Sequence, residues 1–303
     1  MGRPGGGLVT GRFAPSPTGP LHFGSLVAAL ASYCDARAQG GRWLVRIEDV
    51  DEPRSRASAE RTILAALVRY GLQWDGEVVR QSDRTAHYVR ALDRLHDAGL
   101  VYACACTRRD MAQAPQNASG ERIYAGTCRY AAIDAHAAHL AQRVRVDGGI
   151  VEYVDVLQGP QRQDLEREVG DFIVRRADGW FAYQLAVVVD DALQEVTSIV
   201  RGADLLPSTP RQIYLQRALG AATPEYLHVP VAINAAGEKL SKQTGAQALP
   251  HDPVPALMSA WNFLAQPMPD AQPASAAAFI AHAVSSWSRN RLPPTAMLPA
   301  PRV

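Results

Sequence analysis

The spacing of apolar and polar positions predicts strands and helices in alternation along the first hundred residues. Strands are predicted over 11–15 and 43–47, and helices over 25–38, 59–70 and 83–98. The first helix has its apolar residues at helical spacing and is closed by Gly40 and Gly41, as helix ends often are. Alternating strands and helices are typical of a parallel α/β sheet, which binds ligands at the carboxyl ends of its strands.

The pattern is interrupted and then resumes. Residues 101–130 contain a cysteine cluster and a loop rich in Gly, Ser, Asn and Pro, which we interpret as an inserted module. Beyond it we predict strands over 142–146, 172–176, 180–187, 196–200 and 228–233, a helix over 210–219, and helices near 252–264 and 274–287. We expect one α/β domain in two halves (8–100 and 141–250), an insert (101–140) and an Ala/Pro-rich helical tail (251–303).

Composition indicates a folded, water-soluble chain. Of the 303 residues, 47% are hydrophobic and 20% charged, which excludes disordered and collagen-like classes. No apolar run reaches the ~18 residues that a membrane span needs, and the first residues lack the apolar core of a secretion signal. We therefore expect a cytoplasmic protein with no membrane partner. A net charge of +1 argues against a general polyanion-coating role.

The basic residues are unevenly divided between the two types. Only two of the 31 are lysines, and both lie in the segment Lys239-Leu-Ser-Lys-Gln243. A lysine is a compact, mobile charge that the planar guanidinium of arginine cannot copy, and phosphate sites often use it. Lys239 and Lys242 are therefore candidates for contact with phosphate, although two leftover lysines could also fall together by chance.

A Gly/Pro-rich turn precedes the first predicted helix, in the segment Pro17-Thr-Gly-Pro-Leu-His22-Phe-Gly24-Ser25. A helix that begins there directs free N–H groups and the positive end of its dipole at a ligand, and His22 can donate to a phosphate. The segment does not match the G-x-x-x-x-G-K-S/T phosphate loop. Alone it is more often only a turn.

Three of the four cysteines are clustered, as Cys104-Ala-Cys106 and Cys128. Three thiolates suit Zn²⁺, which takes four ligands in structural sites. The spacing leaves the fourth ligand open, with His136 and His139 a little downstream, and three reduced cysteines without metal remain the alternative. Cys34, on an apolar helix, is expected to pack in the core.

These motifs together resemble those of class I aminoacyl-tRNA synthetases. Pro-Leu-His22-Phe-Gly24-Ser25 and Lys239-Leu-Ser-Lys-Gln243 look like the two signature motifs, in the right order on an α/β framework. Arg12-Phe-Ala-Pro-Ser-Pro-Thr-Gly19 and Arg46-Ile-Glu-Asp-Val-Asp51 narrow the resemblance to the glutamyl branch. The resemblance covers about residues 10–250 and implies catalytic roles for His22, Lys239 and Lys242. It also implies ATP binding by Pro20, His22, Gly24, Ser25, Lys239, Leu240, Ser241, Lys242 and Gln243.

The resemblance implies a glutamate site and a zinc ligand set as well. Matching residues would hold glutamate, with Arg12 and Arg201 on carboxylates, Glu48 on the amino group and Tyr183 at a polar edge. The expected lining of this site is Arg12, Phe13, Ala14, Pro15, Ser16, Glu48, Tyr183 and Arg201. Members of the resembled subfamily use a Cys-x-Cys … Tyr-x-x-x-Cys set, which implies one structural zinc on Cys104, Cys106, Tyr124 and Cys128.

Beyond Leu249, shortly after the lysine segment, the chain has only 54 residues, neither long nor basic enough for the anticodon-binding region of a glutamyl-tRNA synthetase. In this it resembles the stand-alone glutamyl-queuosine tRNA(Asp) synthetase family. That resemblance implies activation of L-glutamate with ATP and Mg²⁺ in the absence of tRNA, followed by transfer to queuosine in the anticodon of tRNA(Asp), by an expected monomer.

Three alternatives remain open at this stage. The chain could be a truncated glutamyl-tRNA synthetase that charges a tRNA 3′ end, and a tRNA requirement for activation would favour that reading. It could be an adenylating enzyme for a small carboxylic acid. It could also be a non-catalytic RNA-binding paralogue, although retention of His22, Lys239 and Lys242 argues against a relic.

Overall fold

A computed structural model describes residues 7–50, 57–117, 120–133, 139–240 and 245–301. The first part contains β1 Thr10–Phe13, α1 Phe23–Ala38, β2 Arg42–Ile47, α2 Ala57–Arg69, β3 Val79–Arg80, α3 Thr85–Asp97, β4 Val101–Cys104 and α4 Arg108–Ala112. The middle contains β5 Ala141–Val144, β6 Ile150–Asp155, β7 Gly159–Asp164, α5 Leu165–Glu168, β8 Phe172–Arg175, α6 Tyr183–Leu193, β9 Ser198–Gly202, α7 Thr209–Leu219, β10 Glu225–Val229 and β11 Val231–Ile233. The last part contains α8 Pro253–Phe263, α9 Ala276–Ser286 and β12 Met297–Pro299.

Parallel strands form the centre of the molecule. β1 pairs with β2, β2 with β3, and β9 with β10, all in parallel. β9 lies beside β1, where the Thr197 N–H donates to the Thr10 carbonyl at 2.9 Å. The predicted α/β class with a parallel sheet is therefore confirmed. Because the carboxyl ends of these strands share one edge, residues distant in sequence meet there.

The main core surrounds α1, which is buried along its length from Leu26 to Ala36. Both helices of the C-terminal segment pack onto it, and the rings of Trp261 and Phe279 contact each other edge-on with centroids 5.9 Å apart. β12 then pairs in parallel with β11. The segment predicted as a tail therefore shares the core of the parallel α/β domain.

An antiparallel sheet of β4, β5 and β8 connects the cysteine module to the second half of the chain. β6 and β7 form a hairpin that sequence reasoning did not identify. The strand predicted over 180–187 was wrong, because Tyr183–Leu193 is helix α6. Leu185 to Asp191 are all buried, so this helix has no polar stripe, and a continuous apolar run does not distinguish a buried helix from a strand.

No helix in the described part of the chain is long and apolar enough to cross a lipid bilayer.

Candidate active site

A cleft of about 440 Å³ lies at the carboxyl ends of the parallel strands. The ends of β1, β2, β9 and β10, the start of α1 and the segment after β11 all contribute to its walls. The predicted residues that line it are Arg12, Phe13, Ala14, Pro15, Ser16, Pro20, His22, Gly24, Ser25, Glu48, Tyr183, Arg201, Lys239 and Leu240. Ser241, Lys242 and Gln243 lie outside the described residues, as does Asp51 of the acidic motif.

His22 is the N-cap of α1. Its backbone is extended (φ −122°, ψ 177°), and its Nδ1 accepts from the Ser25 N–H at 3.4 Å. The neutral ring therefore carries its proton on Nε2. A Cβ on Gly24 would lie 3.3 Å from His22 Cε1, so glycine allows the ring to sit close over the first turn. The first turn of α1 and His22 together present donors and a positive dipole end to the cleft.

The lysine segment forms the opposite wall. The Leu240 N–H donates to the Ala232 carbonyl at 2.8 Å, which fixes the start of the segment against β11. The Lys239 ammonium forms an ion pair with Asp204, which also lines the cleft. The sequence did not predict an ion pair between Asp204 and Lys239.

Under the cleft, two arginines and two acids form a buried network. Asp191 Oδ1 accepts from Arg12 Nε at 3.1 Å and lies 2.8 Å from Arg46 Nη1. Arg46 Nη2 donates to Glu48 Oε1 at 3.2 Å. Burial opposes ionisation of Asp191, but the charges of Arg12 and Arg46 outweigh it and lower its pKa. Arg12 thus has an acidic partner in the protein itself.

Glu48 is in a different electrostatic position. Burial raises the pKa of this carboxyl, and Arg46 and Arg12 oppose that effect only in part. A carboxylate here carries its charge at a free-energy cost, which a nearby cation would offset. Glu48 therefore suits a ligand ammonium group.

Arg201 is a buried cation at the end of β9, 5% exposed. Its Nε donates to His228 Nε2 at 3.0 Å and its Nη2 to Thr209 Oγ1 at 2.8 Å. Its Nη1 has no hydrogen-bond partner, and no carboxylate within the described residues forms an ion pair with it. A buried guanidinium without a counter-charge is costly unless an anionic ligand completes it.

Tyr183 begins α6 and lines the same cleft. Burial raises the pKa of its hydroxyl, while the charges of Arg201 and Arg12 lower it and that of Glu48 raises it. Tyr183 therefore lies among a cation without an acidic partner (Arg201), a cation paired with an aspartate (Arg12) and a carboxylate (Glu48). Such a site matches an amino acid, which has an ammonium group and at least one carboxylate.

The cysteine module brings together four potential metal ligands. The three Sγ atoms of Cys104, Cys106 and Cys128 lie within 4.8 Å of one another, close enough to share a metal ion. Tyr124 Oη is 3.5 Å from Cys104 Sγ and 3.7 Å from Cys106 Sγ. Sulfur ligands on tetrahedral zinc, at bonds of about 2.3 Å, are about 3.8 Å apart, so the set fits. His139 is exposed and outside this cluster, and His136 is outside the described residues.

A cation, Arg143, lies against the cysteine module. Arg143 Nε donates to Cys104 Sγ at 3.2 Å, and its guanidinium carbon lies 3.8 Å from the centre of the Tyr124 ring. Burial opposes ionisation of Cys128, but hydrogen bonds from Tyr124, the Ala105 N–H and the other thiols lower its pKa to about 7. At Cys128 these effects favour the thiolate, the form of cysteine that binds metal, whereas burial raises the pKa of Cys106 to about 11.

Several residues of the site were missed by sequence reasoning. Asp190, Asp191, Thr209 and His228 hold its charged groups from beneath. For Asp190, Asp191 and His228 the signal was a polar residue inside or directly after an apolar run, as in Leu227-His228-Val229, and Thr209 carried no such signal. That signal indicates burial with a partner but does not identify the partner.

Comparisons with known proteins agree with this geometry. Residues 8–268 match the family of class I tRNA synthetases (E and Q), catalytic domain. The chain is 55% identical to the glutamyl-Q tRNA(Asp) synthetase of Dechloromonas aromatica, over 96% of this chain and 98% of that protein. It is 54% identical to the protein of the same name from Thiobacillus denitrificans, over the same shares.

The fold is also similar to that of solved structures. The crystal structure of glutamate-tRNA synthetase from Elizabethkingia anophelis superposes with a TM-score of 0.82 at 23% identity, covering 97% of this chain and 68% of that one. A glutamate tRNA ligase from Elizabethkingia meningosepticum gives a TM-score of 0.80 at 24% identity, with the same coverage. At these identities the likeness concerns the fold, which matches that of the class I catalytic domain.

Proposed function

The chain belongs to the glutamyl-Q tRNA(Asp) synthetases, within the class I synthetases for glutamate and glutamine, and we propose that it activates glutamate with ATP. In this step a carboxylate oxygen of glutamate attacks the α-phosphorus of ATP. The bond to the bridging oxygen breaks, pyrophosphate leaves with its electron pair, and glutamyl-adenylate forms. Such a displacement needs positioning and charge stabilisation more than covalent help from the protein.

The observation that carries this proposal is the buried Arg201 guanidinium with its unpaired Nη1 at the cleft. In our proposal Nη1 meets a carboxylate of glutamate, and Glu48 meets the ammonium group. Both contacts remove a cost that the protein carries without substrate: an uncompensated buried cation in one case and a buried anion of raised pKa in the other.

The nucleotide would lie along the start of α1 and the lysine segment. His22 Nε2–H and the free N–H groups of the first turn would donate to phosphate oxygens. Lys239 and Lys242 would meet charge that develops on the phosphates as pyrophosphate leaves, with Mg²⁺ bound to the nucleotide. In the described structure Lys239 is paired with Asp204, so we propose that ATP competes with Asp204 for this lysine.

In the second step we propose that the adenylate carbonyl is attacked by a hydroxyl of the queuosine base in the anticodon of tRNA(Asp). An ester bond forms and AMP leaves. The support for this acceptor is the 54–55% identity, over almost the whole chain, to proteins named for that product. We further propose that Cys104, Cys106, Tyr124 and Cys128 hold one structural zinc ion, which would stabilise the module without entering the reaction.

The test is ATP–pyrophosphate exchange with each amino acid, with and without bulk tRNA. We expect exchange that depends on glutamate and needs no tRNA, followed by glutamate transfer to queuosine-containing tRNA(Asp) but not to the same tRNA lacking queuosine. Exchange only in the presence of tRNA would indicate a 3′-end-charging enzyme instead. Absence of exchange with every amino acid would refute the proposal.

A further inference from the structure

Behind Arg201 lies a chain of buried polar side chains that the reaction itself does not use. His228, on β10, accepts from Arg201 Nε at 3.0 Å, and its Nδ1 is 2.6 Å from Oδ2 of Asp155 at the end of β6. Arg201 is 5% exposed, Asp155 1% and His228 fully buried. The three side chains therefore form a line from the hairpin of β6 and β7 to the cleft.

Hydrogen-bond chemistry determines the tautomer of His228. An arginine Nε always carries a hydrogen, so His228 Nε2 must accept from it and the ring proton must be on Nδ1. That proton is donated to Asp155 Oδ2. Burial, aided by the charge of Arg201, lowers the pKa of His228 to about 4 although Asp155 opposes the shift, so the imidazole is neutral at neutral pH.

The orientation of the Asp155 carboxylate is fixed in turn by the main chain. Its Oδ1 accepts from the main-chain N–H groups of Leu157 at 3.0 Å, Gln158 at 2.8 Å and His228 at 3.3 Å. Only Oδ2 then faces the imidazole. Each member of the line is therefore held by hydrogen bonds that run in one direction, from Arg201 to His228 to Asp155.

This line determines which nitrogen of Arg201 remains available. His228 engages Nε, and Thr209 Oγ1 accepts from Nη2 at 2.8 Å. Nη1 is left without a protein partner within the described residues, on a side chain that lines the cleft. A guanidinium held at two of its three nitrogens loses little freedom when a carboxylate binds the third.

We propose that Asp155 and His228 are positioning residues: Asp155 selects the tautomer of His228 that accepts from Arg201, and Arg201 is thereby held with Nη1 ready for the substrate carboxylate. This inference rests on the proposed function, because it requires Arg201 to bind a carboxylate of glutamate. It assigns to two residues outside the cleft a role in the affinity for the amino acid.

Asp155→Asn tests the inference with almost no change in volume. The remaining oxygen stays on the three main-chain N–H groups, because turning the amide would place its NH₂ against those donors. The NH₂ group therefore faces His228 Nδ1, the ring proton moves to Nε2, and two donors meet at Arg201 Nε. In pyrophosphate exchange we expect the KM for glutamate to rise about 10- to 100-fold, with the KM for ATP and the turnover rate little changed.

Two variants of His228 test whether Arg201 needs a hydrogen-bond acceptor at this position. His228→Gln keeps an oxygen that can accept from Arg201, and its amide can turn to suit either partner. His228→Leu removes the acceptor. We expect the KM for glutamate to be about 10-fold or more higher in the leucine variant than in the glutamine variant. If His228 only stabilised the fold, the two variants would differ in melting temperature but not in the KM for glutamate.

The control is Asp171→Asn, which changes another aspartate that is 1% exposed and bound to an arginine, Arg129, remote from the cleft lining. It should lower the melting temperature and leave the KM for glutamate unchanged. If it raises that KM as much as Asp155→Asn does, the effect reports general loosening and the inference is overturned.

Arg201→Ala separates this inference from the function on which it rests. If Arg201→Ala leaves the KM for glutamate at the wild-type value, the proposed role of Arg201 fails. If Arg201→Ala raises the KM and Asp155→Asn does not, only the positioning role fails. If both raise it, Asp155→Asn should have no further effect in the Arg201→Ala background, and full additivity there would overturn the inference.

Discussion

Glu48→Gln should weaken glutamate binding in the cleft without lowering the stability of the folded protein. Glu48 is 8% exposed in its side chain and accepts from Arg46 Nη2 at 3.2 Å. Glutamine has nearly the same shape and keeps an oxygen for Arg46, so the substitution removes a charge and little else. Arg46 retains Asp191 at 2.8 Å as a counter-charge.

The expected effect on activity follows from the lost partner of the substrate ammonium. A hydrogen bond to a charged group contributes about 1.5–3 kcal/mol. This corresponds to a rise of about 10- to 150-fold in the KM for glutamate. The KM for ATP should change much less, because Glu48 lies directly after β2 and not in the start of α1 or the lysine segment. Both constants are read from pyrophosphate exchange.

The expected effect on stability has the opposite sign. A carboxyl whose pKa is raised on folding binds protons more readily in the folded than in the unfolded protein. Its contribution to the free energy of unfolding therefore falls as the pH rises from the ordinary glutamate value, 4.5, through the raised one. Glu48→Gln removes this pH-dependent loss in the free energy of unfolding. At neutral pH the variant should be at least as stable as the wild type, and its advantage should vanish at pH values below that ordinary value.

Asp191→Asn is the matched contrast, because the same arginines lower the pKa of Asp191. A lowered pKa contributes stability that is present above the unfolded value and is lost as the pH falls through the folded one. Asp191→Asn should therefore cost about 3–5 kcal/mol at neutral pH, as breaking a buried ion pair does, and less in acid. Urea unfolding of both variants across the pH range measures how the free energy of unfolding of each one changes with pH.

Two results would refute this reasoning. A Glu48→Gln protein with the wild-type KM for glutamate would contradict the ammonium contact. A Glu48→Gln protein that is destabilised at neutral pH and recovers in acid would show that Glu48 stabilises the fold as an anion.

Three further predictions concern other parts of the molecule. Lys242→Ala, at a position outside the described residues, should slow glutamyl-adenylate formation by about two orders of magnitude or more with an unchanged circular dichroism spectrum, and near-normal exchange would contradict its role. Cys104→Ser should lower both zinc content and melting temperature, and wild-type protein that binds no zinc in metal analysis would exclude the metal site. Arg289→Ala leaves the buried Asp35 without the guanidinium nitrogens at 2.6 and 2.7 Å, so urea unfolding should show a loss of about 3 kcal/mol, and a loss below about 1 kcal/mol would contradict that account.

Local patterns predicted most of the helices and strands well. α1, α2 and α7 form where apolar residues recur at helical spacing. β2 forms at a short apolar run, and β1 forms directly before a proline-rich turn. The pattern failed at α6, whose buried faces leave no polar stripe to reveal its period. It also failed at the hairpin of β6 and β7, whose residues are largely polar or exposed.

The sequence by itself determined which chemistry is present. Short-range spacing can be recognised directly in a sequence. Three features of the site are of this kind: the turn before α1 with His22, the two lysines at 239 and 242, and the Cys-x-Cys spacing. It also indicated that Arg201 and Glu48 belong together, but only through resemblance to a family.

Only the tertiary structure decided how the charged groups are paired. Arg12 meets Asp191 across 179 positions, and Arg201 reaches Asp155 through His228. Both arginines are buried on parallel strands, yet one has a protein carboxylate and the other has an unpaired nitrogen at the cleft. The difference arises because the cost of a buried charge depends on which groups the fold brings within hydrogen-bond distance, and no local pattern records that distance.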